Sequence, residues 1–276
     1  MHIAKNPHSA TRRLILAAQE ILGAHNPMTI RQLHYQLVSL YERPNTQAAY
    51  KALSEQMSAA RLRGDIPWEW IEDRLRGVRS YALYDGIAAF IGDVSDSYAR
   101  DTWASQSRYF ELWLEKEALS GIFDDARGRY RVALNVGRGY DGWSSIKDAA
   151  DRLPDGAEIL YFGDFDPSGE DMVRSLQHRL RQLGCSAVVT KCALTLDQIA
   201  QYRLPPNLTK KTDRRREAHV ARYGDLSVEL DALPVAVLRE IIEHEIRKRI
   251  DLVAFHLELE REAEERASIH RRLGLA

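Results

Sequence analysis

The chain has 276 residues, 45% hydrophobic and 29% charged, which suits one large globular domain or two ordinary ones and excludes a disordered chain. With 39 Lys and Arg against 40 Asp and Glu the formal net charge is −1, which argues against an indiscriminate polyanion binder. The total hides an asymmetry, +4 over residues 1–80 and −5 over the remainder, that suits a basic front docking a polyanion and an acidic back holding metal.

No stretch reaches the roughly 18 apolar residues of a membrane span, and the first 20 residues hold no long apolar run. A cytoplasmic, nucleoid-associated protein is expected. Cys185 and Cys192 have no second pair, so they form neither a CxxC site nor a disulfide framework, and two buried thiols are expected. The histidines show no HxxxH or HxH, which argues against zinc.

Leu14, Ile15, Ala18, Ile21 and Leu22 open the chain at helical core spacing. Thr29 is placed to cap a short helix, "IRQLHYQLVSL", which "YERPNT" ends. A third helix is predicted from about Gln47 to Arg63, burying Tyr50, Leu53 and Met57. "RGDIPWEWIEDRLRGV" then reads as a turn and short strand-like pieces around Trp68, Trp70 and Ile71. Three short helices followed by a strand ribbon is the winged-helix pattern, with an unspecialised helical subdomain as the alternative.

Residues 81–107 read as a linker or a partly helical bridge. From about Arg108 strands alternate with helices: "YFELWLE", "YRVALNV", "EILYFGD" and "SAVVTKCAL" enclose "KEALSGIFDDAR", "DGWSSIKDAADRL" and "GEDMVRSLQHRLRQLG". That order predicts an α/β fold with a mainly parallel sheet covered on both faces. A charged helical extension follows over 236–276, with Leu238, Ile242, Ile246, Ile250 and Val253 as its apolar stripe. The expected organisation is a winged-helix domain over 1–80, a linker over 81–107, a Rossmann-like domain over 108–235 and the helical C-terminus.

Ligands of an open α/β sheet bind beyond the carboxyl ends of its strands. The first strand there ends in Glu115-Lys116-Glu117, the second in Gly137-Arg138-Gly139 and the third in Asp164-Phe165-Asp166. Residues two apart in a strand point the same way, so Asp164 and Asp166 can face one pocket. Carboxylates clustered without thiols or histidines favour a hard cation, Mg²⁺ or Mn²⁺, held by Glu115, Asp164 and Asp166. The alternative is that the aspartates cap the following helix across "DPSG".

Together "ELWLEKEAL", "NVGRGYDG" and "YFGDFDPSG" resemble a Toprim domain, the metal-binding fold of topoisomerases, primases and certain nucleases. More narrowly, "LEK" and "DFDPSG" are similar to segments of the topoisomerase VI A subunit and of its relatives, the transesterases of meiotic double-strand breaks. The resemblance implies a winged helix carrying a nucleophilic tyrosine, and Arg31-Gln32-Leu33-His34-Tyr35 matches its motif at the arginine and the final tyrosine only. At about 100° per residue Tyr35 lies off the stripe of Ile30, Leu33 and Leu37 and on the face of Arg31. That placement suits a phenol exposed to DNA with a cation lowering its pKa.

The implied chemistry is metal-dependent cleavage of double-stranded DNA by in-line attack on a phosphodiester. Tyr35 would attack with Arg31 beside it and become joined to a 5′ end, while Glu115 and Lys116 serve the catalytic centre. In a Toprim endonuclease a metal-activated water would attack, assisted by Glu117 or Lys116. A DNA-binding regulator with a structural ion is the third possibility. The resemblance also implies a homodimer, with tyrosine and metal site from different subunits, and an ATPase partner protein for strand passage. Arg138 is a candidate phosphate clamp, and Lys210 and Lys211, with Arg214, Arg215 and Arg216 of "TKKTDRRR", are candidate DNA-backbone contacts. Glu229 and Asp231 in "VELDALP" are not expected to bind metal.

Overall fold

A computed structural model describes residues 9–71, 83–137, 143–209 and 212–273. Three helices come first: α1 (Ser9–His25), α2 (Ile30–Tyr41) and α3 (Gln47–Arg63). Thr29 and Gln32 form a reciprocal capping box at the start of α2, and Thr46 accepts from the Ala49 amide at the start of α3. Leu33 and Leu37 of α2 join Ile15, Ala18, Leu22, Leu53 and Met57 in the core, while Tyr50 is half-buried, not buried as the spacing predicted. The expected strand pieces after α3 are a 3₁₀ turn over Trp68–Trp70 and a single parallel bridge from Ile71 to Met28. Residues 72–82 lie outside the described chain.

The alternating region forms β1 (Phe110–Leu114), α5 (Ser120–Tyr130), β2 (Leu134–Val136), α6 (Trp143–Arg152), β3 (Glu158–Phe162), α7 (Pro167–Gln182) and β4 (Val188–Ala193). The four strands make one parallel sheet in the order β2-β1-β3-β4. Every residue of β1 is buried, as a central parallel strand covered on both faces requires. From β1 the chain steps outward to β2, then crosses back to β3 on the other side. The point where the winding reverses therefore lies between the carboxyl ends of β1 and β3, the usual place for a ligand cleft.

Helices α8 (Leu196–Gln201) and α9 (Arg216–Tyr223) follow, then α10 (Val235–Arg247) and α11 (Leu252–Leu273). The expected stripe holds through Leu238, Ile242, Ile246 and Ile250, but Val253 is 73% exposed because α10 ends and α11 starts on a new phase. The region over 81–107, expected as a linker or a partly helical bridge, contains a helix, α4 (Ile87–Ser97). By internal contacts the chain divides into two units, Met1–Leu75 with Phe110–Glu243, and Arg76–Tyr109 with His244–Ala276. In the second, α4 packs on α11, and Arg100 pairs with Glu258 and Glu265. No helix among the described residues is long and apolar enough to cross a membrane, and both cysteines are buried free thiols.

The turn from β3 into α7 tolerates little. A Cβ on Gly169 would collide with the carbonyl oxygen of Asp164, whereas one on Gly128 in α5 would meet open space. Gly169→Ala is therefore expected to cost about 1–3 kcal/mol, as overpacking does, and Gly128→Ala to be neutral or to stabilise by up to about 1 kcal/mol. Thermal melts of the two variants check this; equal melting temperatures would contradict the geometry.

Candidate active site

The site grows from the ends of β1 and β3. Past β3 the backbone stays tied to its neighbours: the Glu115 amide donates to Phe162 O (3.0 Å) and the Gly163 amide to Ala193 O (2.8 Å). Two further bonds, Phe165 N to Val228 O (2.9 Å) and Val228 N to Phe165 O (2.8 Å), staple the segment around Val228 against the Asp164-Phe165-Asp166 turn. That staple carries Glu229 and Asp231 to the acidic edge.

At the centre is Lys116. Its ammonium lies 2.7 Å from Asp231 Oδ2, 2.9 Å from Glu229 Oε2 and 3.0 Å from Asp164 Oδ1. Burial works against its charge, but Asp231, Asp164 and Glu229 raise its pKa well above the usual lysine range. Lys116 is thus a fixed cation and not a base at neutral pH. Burial pushes the Asp164 carboxyl up to about 7 although Lys116 pulls the other way, and the Leu230 amide donates to its Oδ1 at 2.8 Å. Glu229 is opposite in outcome: burial disfavours its charge, but Lys116 and Arg31 hold it at about 2. Arg31 Nη1 donates to the same Oε2 at 2.8 Å, so one oxygen links α2 to the sheet edge. Asp231 Oδ1 is buried with no hydrogen-bond partner, and its side chain is 0% exposed.

Glu115 Oε2 accepts from the Tyr161 hydroxyl and the Asp164 amide, both at 3.1 Å. A Cβ on Gly163 would press on that carboxylate and on the Tyr161 ring, so glycine makes the room. Asp166 Oδ1 accepts from the Gly169 amide at 2.6 Å, capping α7 with Pro167 in its first turn. The capping alternative read from "DPSG" is thus realised at Asp166. These bonds leave out Asp164 Oδ2, Asp166 Oδ2 and Glu115 Oε1.

Asp164 and Asp166 line a cleft of about 280 Å³ together with Glu229, Arg31 and Tyr35, all from the same chain. Glu115 lines a separate small cavity with Gly137, Tyr161 and Arg179. Among the described residues no three His, Cys, Asp or Glu side chains stand together as a metal-ligand set. The central place is taken by the Lys116 ammonium. The donor set still fits Mg²⁺, which is held by one or two carboxylates, waters and substrate phosphates more often than by an all-protein cage. Asp164 and Asp166 would supply those carboxylates.

Tyr35 departs from the sequence expectation. It is 5% exposed, not a surface phenol, and burial with Glu229 pushes its pKa up while Lys116 and Arg31 only oppose the rise. The reason is a second cover on α2: the 3₁₀ turn over Leu230–Ala232 packs on it, so Gln32 through Leu37 are buried without interruption. A helical stripe reveals one packed face and hides the other. The little of Tyr35 that remains open faces the cleft.

Arg138, Gly139, Lys210 and Lys211 lie outside the described residues. Of the neighbouring basic run, Arg215 pairs with Asp171 at 3.0 Å and Arg216 with Asp225 at 2.7 Å. Sequence reasoning left Glu229 and Asp231 aside, although their spacing of two, like that of Asp164 and Asp166, was visible. Compared with known protein families and with curated proteins, the chain matches none.

Removing the shared cation gives a direct test of this electrostatic centre. Asp164 holds its proton more tightly folded, at about 7, than unfolded, at about 4. Its contribution to stability is therefore full below about pH 4 and is lost as pH rises through about 7. Lys116→Met strands three carboxylates and is expected to cost about 3–5 kcal/mol near neutral pH. The loss in melting temperature should be larger at pH 8 than at pH 5; an equal loss at both would show that the ammonium does not hold the cluster together.

Proposed function

We propose that the cleft cleaves DNA strands in a metal-dependent reaction, as the Toprim-like segments and the topoisomerase VI A-like order of parts suggest. The observation that carries this reading is the meeting of Tyr35, Arg31, Asp164 and Asp166 in one cleft. Tyr35 Oη attacks phosphorus and forms a phosphotyrosine bond, the bond to the 3′ oxygen breaks, and the 5′ end stays on the tyrosine. The phenolic proton leaves with the departing 3′ oxygen, directly or through water. Arg31 keeps nitrogens beyond the one spent on Glu229 and clamps a phosphate oxygen. Lys116, held protonated, offsets the charge that builds on the phosphate. Asp164 and Asp166 would hold a Mg²⁺ or Mn²⁺ ion, which would supply Lewis-acid neutralisation of the charge on the phosphate. Glu115 orients Asp164 through its backbone amide and takes part from the neighbouring cavity. An ATPase partner belongs to the same proposal; a homodimer does too, but to bring one centre to each DNA strand, since Tyr35 and the two aspartates meet within one chain and not across two as the resemblance implies.

One observation favours a second reading. The Tyr35 phenol is buried and its pKa raised, which makes it a reluctant nucleophile. In that case water attacks, the chain is an endonuclease, and Tyr35 is part of the wall. Lys116 cannot then be the base while its three carboxylates keep it charged.

Supercoiled plasmid incubated with Mg²⁺ or Mn²⁺ separates these, using the parent chain, Tyr35→Phe and Asp164→Asn, each split for protease digestion before electrophoresis. The first reading expects breaks that need both residues, with protein on the DNA ends and at least a 100-fold loss in each variant, the order of effect for a nucleophile or a charge-stabilising group. Free ends with full Tyr35→Phe activity and a dead Asp164→Asn establish the nuclease. Breaks that survive Asp164→Asn overturn both.

A further inference from the structure

The cleft has a second wall that strand cleavage leaves unused. It comes from the start of α3 and the segment near 207; its polar groups are mostly uncharged, with the Asp213 carboxylate also on the lining and Arg31, which strand cleavage does use, at its edge. Asn45 Nδ2 donates to Asn207 Oδ1 at 2.8 Å, joining positions 162 apart in sequence. Beyond that bond Asn45 keeps a second N–H and Asn207 its NH₂ group, while the Asn45 side chain is also hydrogen-bonded to His34. Beside them the half-buried Tyr50 ring has His34 edge-on at 5.6 Å and the Arg31 guanidinium 5.7 Å from its centre. The N-cap residue Thr46 and the first residue of the 17-residue helix α3, Gln47, open on the same space.

This combination is selective. Amide donors and acceptors match the hydrogen-bonding edge of a nucleobase, an aromatic ring matches its face, and a cation with a helix N-terminus matches the phosphate next to it. At about 280 Å³ the cleft is at the small end of small-molecule sites, room for one nucleotide and not for a base pair within a duplex. A paired base shows neither its face nor its pairing edge, so a site built for both requires the base to be out of the stack.

We propose that this wall is a subsite for a single unpaired nucleotide, with its base edge on Asn45 and Asn207, its face on Tyr50, and its phosphate on Arg31. The substrate class is then DNA with a bulged, mismatched or single-stranded position, and not uniform duplex. The inference rests on the reading that the cleft acts on DNA, and deepens it.

Binding tests it without cleavage. The full chain is titrated, with no divalent cation, into a labelled duplex carrying a one-nucleotide 2-aminopurine bulge and into the fully paired duplex. The bulge should bind about tenfold tighter, within the range that stacking one base provides, with a change in 2-aminopurine fluorescence on binding. A deoxynucleoside monophosphate should compete for the bulge and not for the paired duplex. Asn45→Ala and Tyr50→Leu should each bring the two affinities to parity, with circular dichroism confirming that both variants fold, and Asn207→Ala stands in for either that does not. Equal affinities for bulge and duplex, or a preference that survives all three substitutions, overturns the subsite. A preference without metal-dependent breaks keeps the subsite and removes the cleavage reading; breaks without a preference do the reverse.

Discussion

One ammonium holds the acidic edge together. Lys116 follows the central strand β1, and the three carboxylates around it come from the end of β3 and from a segment more than 60 residues further on. Burying a lysine is costly, and burying three carboxylates beside each other is more so, but each makes the other tolerable. The balance is uneven. Glu229 ends well below the usual carboxylate range while Asp164 ends well above it, because Glu229 has a second cation in Arg31 and Asp164 is the more deeply buried. Two carboxylates sharing one lysine thus have opposite proton affinities, which is the condition for assigning them different chemical tasks.

The fold explains why these groups meet. A parallel sheet whose winding reverses between β1 and β3 opens a gap at the carboxyl ends of those two strands, and the residues that follow them fall into it. The backbone pairing of Phe165 with Val228 then closes the gap from outside, carrying Glu229 and Asp231 in with it. Gly163 and Gly169 are the concessions made by the turn: the first admits the Glu115 carboxylate, the second lets the start of α7 lie against the Asp164 carbonyl. Few substitutions in "YFGDFDPSG" leave this geometry undisturbed.

Much of this was legible from local pattern. The strands "FELWL" and "EILYF", the capping Thr29 and the DxD pair all announce themselves within a few residues, because strand burial, caps and turns are local chemistry. What stayed hidden depends on distant pairing. Asp231 looks like one more surface acid until the Phe165–Val228 bridge puts it under Lys116, and Tyr35 looks exposed until the 3₁₀ turn over Leu230–Ala232 covers it. Both surprises have the same cause, since a single segment after α9 supplies the cover and the buried acid together. The signal that could have raised suspicion was Glu229 and Asp231 themselves, two acids at strand spacing in an otherwise apolar stretch.

The arrangement around Glu229 bears on how a substrate anion would be received. Its Oε2 accepts from both Arg31 and Lys116, so the two cations are not independent. An anion drawn to Arg31 would compete with Glu229 for that guanidinium. Arg31, Glu229, Lys116 and Asp164 form one connected chain of charges from α2 to the end of β3, and Asp164 at its far end is the carboxyl with the raised proton affinity. The same chain reaches Tyr35, which Glu229 makes harder to ionise and Arg31 and Lys116 make easier. An anion held by Arg31 would add negative charge beside the phenol and occupy one of the two cations that favour its ionisation, so by charge alone it would make Tyr35 harder, not easier, to ionise.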